Sequence, residues 1–302
     1  MVGPRSLAPL LLGLALAAAP RDPAPLALWV WEAESRRMAL DPAWAARTCA
    51  ALRSRGARIL YLSPPSTEEG QPAQDRLVAW LHGQGFEVHA LLADRDPAPV
   101  AARLARLLEA QGRAAPGARF DGLHFDVEPH ALPGWTEAGR EALAQAFLDA
   151  AEDWIARARA VDPRLRIGAA LPFWFDGVSV GWRGRTRPLN EHLQDAFDYV
   201  ALMAYRNHAE GRDGLIPLVE GELAYGDRIG RPVRVGLETA PATPDKLTFH
   251  GLGPGALARE MATARRRLRR HPSFEGFALH HLRTWLALGP PRKASSRRIP
   301  RP

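Results

Sequence analysis

The segment Phe120-Asp121-Gly122-Leu123-His124-Phe125-Asp126-Val127-Glu128 carries ionisable side chains at three successive alternate positions. In an extended backbone His124, Asp126 and Glu128 share one face. A strand covered on both sides rarely holds such a line, because each charge needs a partner or solvent. At the mouth of a cavity, two neighbouring carboxylates push their proton affinities apart and leave one as a proton donor near neutral pH. That is equipment for general acid catalysis. A ladder of purely structural ion pairs is the competing reading. Two further carboxylates end apolar runs, Glu238 after Val233-Arg234-Val235-Gly236-Leu237 and Glu32 after Trp29-Val30-Trp31.

The elements that must position these groups follow from the hydrophobic pattern. Short apolar runs at 26–32, 58–65, 87–93, 120–128, 166–175, 199–205, 233–238 and 274–282 look like strands buried on both faces. Amphipathic stretches at 43–55, 74–84, 100–111, 137–161 and 255–270 lie between them, with Gly56, Gly85 and Gly112 as stop signals. Strands alternating with helices over this length predict a single-domain (β/α)8 TIM barrel over residues 20–285, its eighth helix short or missing. A doubly wound sheet is the alternative. The stretches at 176–188 and 207–214 read as irregular loops on the C-terminal face, where barrel active sites sit.

The run Asp121-Gly122-Leu123-His124-Phe125-Asp126-Val127-Glu128 resembles the DGxDxDxE signature of glycoside hydrolase family 18, the chitinase-like TIM barrels. Met203-Ala204-Tyr205 resembles that family's Met-x-Tyr segment on the sixth strand. The resemblance implies that Glu128 is the general acid and that Asp126 assists the attack of the substrate's acetamido group. It also implies that Tyr205 supports that group and that Trp285, near the end of the eighth strand, floors the sugar site. The chain departs from the pattern where His124 replaces an Asp and where Arg206 follows Tyr205. A charged His124 would hold Asp126 ionised and oriented, leaving the proton on Glu128. Arg206 touching Glu128 would instead make Glu128 an ion-pair partner, and the expectation is that it does not. The resemblance is to a divergent relative rather than to a chitinase.

Glu238 supports a second glycosidase pattern, in which an acid/base Glu ends the fourth strand and a nucleophile Glu ends the seventh. Glu32, Trp31, Trp174, Trp285, His124 and Met203 are the expected substrate-binding residues, with Trp29 and Trp182 at neighbouring positions. Aromatic rings suit the apolar faces of sugars. Two other readings compete. His124, Asp126 and Glu128 could ligate a metal in a hydrolase or deacetylase, with His89, His208, His280 or His281 as partners. A non-catalytic, lectin-like glycan-binding barrel is the other.

The chain has 302 residues, 46% hydrophobic and 24% charged, which excludes disorder and disulfide scaffolds as its main character. The formal net charge of +7 is concentrated in residues 286–302, which hold five basic residues and no acid. That tail is expected to be disordered. The basic run Arg265–Arg270 reads as a solvated helix end rather than a nucleic-acid footprint. The thirteen apolar residues Leu7–Ala19 follow Arg5 and read as a secretory signal peptide, so a secreted or periplasmic monomer is expected. The single Cys49 reads as a buried thiol without a disulfide. No metal or organic cofactor is expected, and a polysaccharide or oligosaccharide is the expected partner.

Overall fold

The computed structural model describes residues 24–289. The candidate signal peptide and most of the basic tail lie outside the described residues. The chain begins with β1 (Leu26–Val30), α1 (Glu32–Leu40), α2 (Pro42–Ser54), β2 (Ala57–Leu62) and α3 (Gln71–Gly83). It continues with β3 (Glu87–Asp94), α4 (Pro97–Arg113), β4 (Gly122–Val127), α5 (Arg140–Val161) and β5 (Arg166–Pro172). A hairpin of β6 (Ser179–Trp182) and β7 (Arg185–Pro188) precedes α6 (Leu189–Ala196), β8 (Tyr199–Met203) and α7 (Leu215–Ile229). Then come β9 (Val233–Glu238), α8 (Gly253–Leu268), β10 (Phe274–His280) and α9 (Leu282–Ala287). The parallel strands close in the order β1-β10-β9-β8-β5-β4-β3-β2. The fold is a TIM barrel.

Local chemistry explains the helix boundaries. Asp41 and Asp96 accept from Trp44 N and Ala98 N at 2.9 Å, and a Pro fills the first helical position after each. Gly56 and Gly85, at φ 85° and 80°, turn the chain after α2 and α3. Gly112, expected as a stop, lies inside α4, whose apolar stripe of Val100, Leu104, Leu107 and Leu108 carries the helix past it.

Two cores result. Leu, Val and Phe side chains from the outer strand faces pack against the helices. Inside the barrel a second core joins Trp29, Ile59, Tyr61, Leu91, Tyr199 and Ala201, with Trp31, Ala93 and Met203 packed on it. At the foot of the strands Arg234 is completely buried and pairs with Glu275 at 2.9 Å, and Glu275 also holds Arg166 at 2.7 Å.

The expected strands end two or three residues too late at several C-terminal ends, where the chain leaves the barrel to form the mouth. Residues 176–188 are not irregular but hold the β6–β7 hairpin, bound to α5 through Gln145 Nε2 to Gly181 O at 2.6 Å and Gly181 N to Glu141 Oε1 at 3.0 Å. The eighth barrel helix, α9, is six residues long and continues past residue 285. Cys49 is buried, and burial pushes its thiol up to about 12. Among the described residues no helix is long and apolar enough to cross a membrane.

Candidate active site

The motif divides between the foot and the mouth of the barrel. Asp121 stands before β4, where its Oδ2 accepts from Val88 N at 2.7 Å and meets His82 Nε2 at 2.9 Å. It is a structural tie between strands. Gly122 leaves space that no other residue leaves: an added Cβ would lie 2.2 Å from Arg166 O and 3.0 Å from the His89 ring. The next inward positions are His124 and Asp126, and Glu128 follows the strand at the head of a short 3-10 turn, Pro129–Ala131.

Asp126 is buried and its Oδ2 accepts from Trp29 Nε1 at 3.0 Å. Burial, reinforced by the charge of Glu128, pushes its carboxyl up to about 6, against the opposing influence of His280 and the Trp29 bond. Glu238 ends β9. Its Oε1 accepts from the backbone N–H groups of Thr239 and Ala240 at 2.7 and 2.6 Å, and its Oε2 accepts from His280 Nδ1 at 2.7 Å. Trp31 Nε1 lies 3.1 Å from His280 Nε2. Trp31 can only donate, so Nδ1 of His280 carries the proton given to Glu238.

Tyr205, just beyond β8, ties these groups together. Burial and then the charges of Asp126, Glu238 and Glu128 hold its phenol well above the ordinary range. Its ring lies 6.2 Å from that of His280. At the C-terminal mouth the charges of three carboxylates, Asp126 and Glu128 from β4 and its end and Glu238 from β9, all oppose ionisation of this phenol. Among the described residues no side-chain hydrogen bond holds the Glu128 carboxylate, whereas both oxygens of Glu238 are occupied. Glu128 is half-buried and its carboxylate is not tied to the wall. Glu238 is fixed in the wall.

Several expected placements change. His124 does not act as a charged partner of Asp126. Its ring stacks on Tyr61 at 3.7 Å and its Nδ1 meets Tyr199 Oη at 3.0 Å. Burial, then the charges of His89 and Arg234, hold it neutral. The elevated Asp126 carboxyl runs against the expectation that Asp126 stays ionised and leaves the proton on Glu128. Trp285 is 5% exposed and packs in the outer core with Arg55 5.1 Å over its ring, so it does not floor a sugar site. Arg206 pairs with Asp213 at 2.7 Å and makes no hydrogen bond or ion pair with Glu128. Met203 packs at the upper end of the inner core. Trp182 donates to Asp149 on α5 at 2.9 Å, on the flank.

The aromatic wall beside Glu128 is different from the expected one. Trp174, 37% exposed, lies 5.3 Å from His130 and 6.4 Å from Trp135. Burial pulls His130 below its ordinary range against the charge of Glu128. His130 and Trp135 were not singled out from the sequence, although they follow Glu128 by two and seven residues. A cavity of about 550 Å3 opens on the other side, lined by Trp31, Glu32, Ser63, Ala93 and Arg103 among others. It adjoins the mouth at Trp31, but Glu128, Tyr205 and Glu238 do not line it. Among the described residues no three His, Cys, Asp or Glu side chains converge as a metal site. His124, stacked below the mouth, lacks the company that the metal reading requires.

No protein-family model and no curated protein matches the chain. Solved structures do. A beta-1,4-mannanase from the sea hare Aplysia kurodai is 12% identical at a TM-score of 0.53, covering 86% of this chain and 88% of its own. The fold is shared with glycoside hydrolases. A beta-galactosidase from the haloarchaeon Halorubrum lacusprofundi is 11% identical at a TM-score of 0.54, over 85% of this chain and 52% of its own. A chitinase from Chromobacterium violaceum is 13% identical at a TM-score of 0.48, over 88% of this chain and 98% of its own. Such distant likeness reaches several kinds of glycosidase barrel and singles out no family.

Proposed function

We propose that the chain is a glycoside hydrolase cleaving O-glycosidic bonds of a cell-wall or extracellular polysaccharide by carboxylate acid/base catalysis. The observation that carries this reading is the placement of Asp126 and Glu128, at the end of β4, and Glu238, at the end of β9, at the C-terminal ends of the strands of a TIM barrel. In this reading Glu128 donates the proton to the leaving oxygen. Asp126, deprotonated during turnover, stabilises positive charge at the sugar carbon. Tyr205 offers its hydroxyl beside that centre. His280 and Trp31 hold Glu238 in place, and Trp174 and Trp135 provide the apolar wall for a sugar face. The apolar run Leu7–Ala19 supports export to the compartment where such polymers lie.

The test is a panel of polysaccharides and oligosaccharides screened for release of reducing ends by wild type and Glu128→Gln. Wild type releases them from at least one glycan and the variant loses at least about 100-fold, the scale of a missing general acid. Equal binding of a glycan by both proteins without turnover would replace this reading with a lectin-like one.

A further inference from the structure

The cavity of about 550 Å3 beside the mouth takes no part in the acid chemistry above, yet the strand register joins it to the site. Ala93 on β3 lines it and pairs in register with Asp126 on β4. On β1 and β2, Trp29 pairs with Tyr61, and both rings belong to the inner core. The next inward positions on these strands are Trp31 and Ser63, which also line the cavity. The cavity thus begins on the inner face of β1, β2 and β3, next to the strand that carries Asp126 and leads to Glu128. From there it runs outward between the loop after β2 and α4. Its size falls within the range of ligand pockets, roughly 300–1,000 Å3.

The walls are fixed. The short turn Glu68–Gly70 sits directly on the loop after β2, since a Cβ added at Gly70 would lie 2.7 Å from Pro65 Cβ. Asp94 Oδ1 accepts from the N–H groups of Arg95 and Asp96 at 2.8 and 3.2 Å. Its Oδ2 holds Arg103 Nη2 at 2.9 Å, and that nitrogen also donates to Ala93 O at 2.8 Å. The Arg103 guanidinium is thereby clamped at the end of β3. The charges along the cavity have both signs. Asp75 is engaged by Gln71 Nε2 at 2.7 Å, and Arg113 pairs with Glu109. Glu32, Glu68 and Arg106 line the cavity, are exposed and make no side-chain hydrogen bond or ion pair among the described residues. A polymer of one sign would meet like charge at one or other of these groups. A hydroxyl both donates and accepts, so it serves a carboxylate and a guanidinium alike. Trp31 adds a ring for the apolar face of a sugar.

We propose that this cavity is a remote subsite for an uncharged, hydroxyl-rich stretch of a glycan chain, so that a long chain is held across Trp31 and cut internally. The proposal rests on the glycosidase reading of the mouth and adds to it the length and charge of the preferred chain. Glu128 then stands between two sugar-binding surfaces, the cavity on one side and Trp174 with Trp135 on the other. The bond broken is the glycosidic C–O bond of that reading, with water supplying the new hydroxyl and hydrogen. Contacts in the cavity are remote from that bond, so they strengthen binding of long chains without touching the reacting atoms.

The test titrates Glu128→Gln with β-1,4-linked gluco-, manno- and N-acetylglucosamine oligosaccharides of increasing length, read by calorimetry and by the 15N signal of the Trp31 indole. Oligouronates and oligoglucosamines of the same lengths are the charged probes. Affinity for at least one uncharged series rises with length, its longer members move the Trp31 signal, and the charged series bind more weakly. Glu68→Gln and Arg106→Ala, two exposed changes, each weaken binding of the longest chains by about threefold to tenfold, and the loss shrinks as the chain shortens. On an otherwise wild-type chain the same changes raise KM for long chains and hold kcat. Wild type lowers the viscosity of a polymer before reducing ends accumulate. Losses equal at every length, as a merely structural role would give, would overturn the proposal. So would tighter binding of a charged series, affinity indifferent to length, or a Trp31 signal unmoved by a chain that binds. Should Glu128→Gln not fold, KM for long against short chains in wild type and the two cavity variants decides, or direct titration of wild type where nothing is cleaved. If uncharged chains bind with this length dependence and none is cleaved, the enzyme reading fails and the subsite stands. Cleavage without length dependence fails the subsite alone, and a protein that neither binds nor cleaves any glycan fails both.

Discussion

Replacing Asp126 with Asn should stabilise the protein while disabling it. Burial raises the Asp126 carboxyl from an ordinary 3.8 to about 6. A carboxyl raised on folding costs nothing below its unfolded value, and stability drains away as pH climbs through the interval up to the folded value. At about 1.4 kcal/mol for each pH unit, that interval is worth about 3 kcal/mol, fully lost at pH 7 and above. Asn at this position carries no charge to desolvate. Its oxygen can accept from Trp29. In a barrel of this size 3 kcal/mol corresponds to a rise in Tm on the order of 6–10 °C. Thermal unfolding of wild type and Asp126→Asn, followed by circular dichroism at pH 7.5 and pH 3.5, measures it. The gain should be present at pH 7.5 and almost absent at pH 3.5, and glycan cleavage should fall by about 100-fold or more. An Asp126→Asn protein no more stable than wild type at pH 7.5, or one whose gain persists undiminished at pH 3.5, would refute the reasoning.

Glu222, buried between α6 and α7, is raised to about 8 by burial and then by the charge of Asp176, so Glu222→Gln should gain about 3 kcal/mol at pH 7 and nothing below pH ~4 in denaturant titrations. Trp285→Ala should cost about 3–5 kcal/mol of stability by emptying part of the outer core, and Trp174→Ala less than about 0.5 kcal/mol. Calorimetry with a bound oligosaccharide should show the reverse order, with only Trp174→Ala weakening affinity, on the order of threefold to tenfold. Gly168→Ala would put a Cβ 2.2 Å from the Tyr199 ring, and a drop of at least about 1–3 kcal/mol in chemical unfolding is the expected result.

The barrel was legible because each of its strands is an apolar run of five to eight residues and five of the helices, α2, α3, α4, α5 and α8, show an amphipathic stripe. The hairpin β6–β7 was not, because Val180-Gly181-Trp182 and Thr186-Arg187 are too short and too polar to show alternation apart from turn residues. The inward face of β4 was readable, since alternation alone puts His124, Asp126 and Glu128 in line. What each of them does was not. The neutral state of His124 depends on burial and on His89 and Arg234, distant in the chain. Trp285 was assigned to the mouth because it follows the eighth strand closely, but the chain turns into α9 at Leu282 and carries the ring to the outer face. His130 lies near Glu128, and Trp135 near His130, because the chain folds back after the 3-10 turn, and no periodicity announces that.

The ionic foot of the barrel has a consequence for how this chain can change. Glu275 joins Arg234 to Arg166, Arg166 reaches Glu87, and Glu87 pairs with His89. Arg234 and His89 are fully buried, so losing Glu275 or Glu87 leaves a buried neighbour without its partner. Substitutions here should be strongly epistatic: Glu275→Gln and Arg234→Met, each harmful alone, should combine at less than the sum of their costs. A drifting sequence would cross this region only by paired or grouped replacements. Single exchanges would pass far more easily among the solvated arginines at the end of α8.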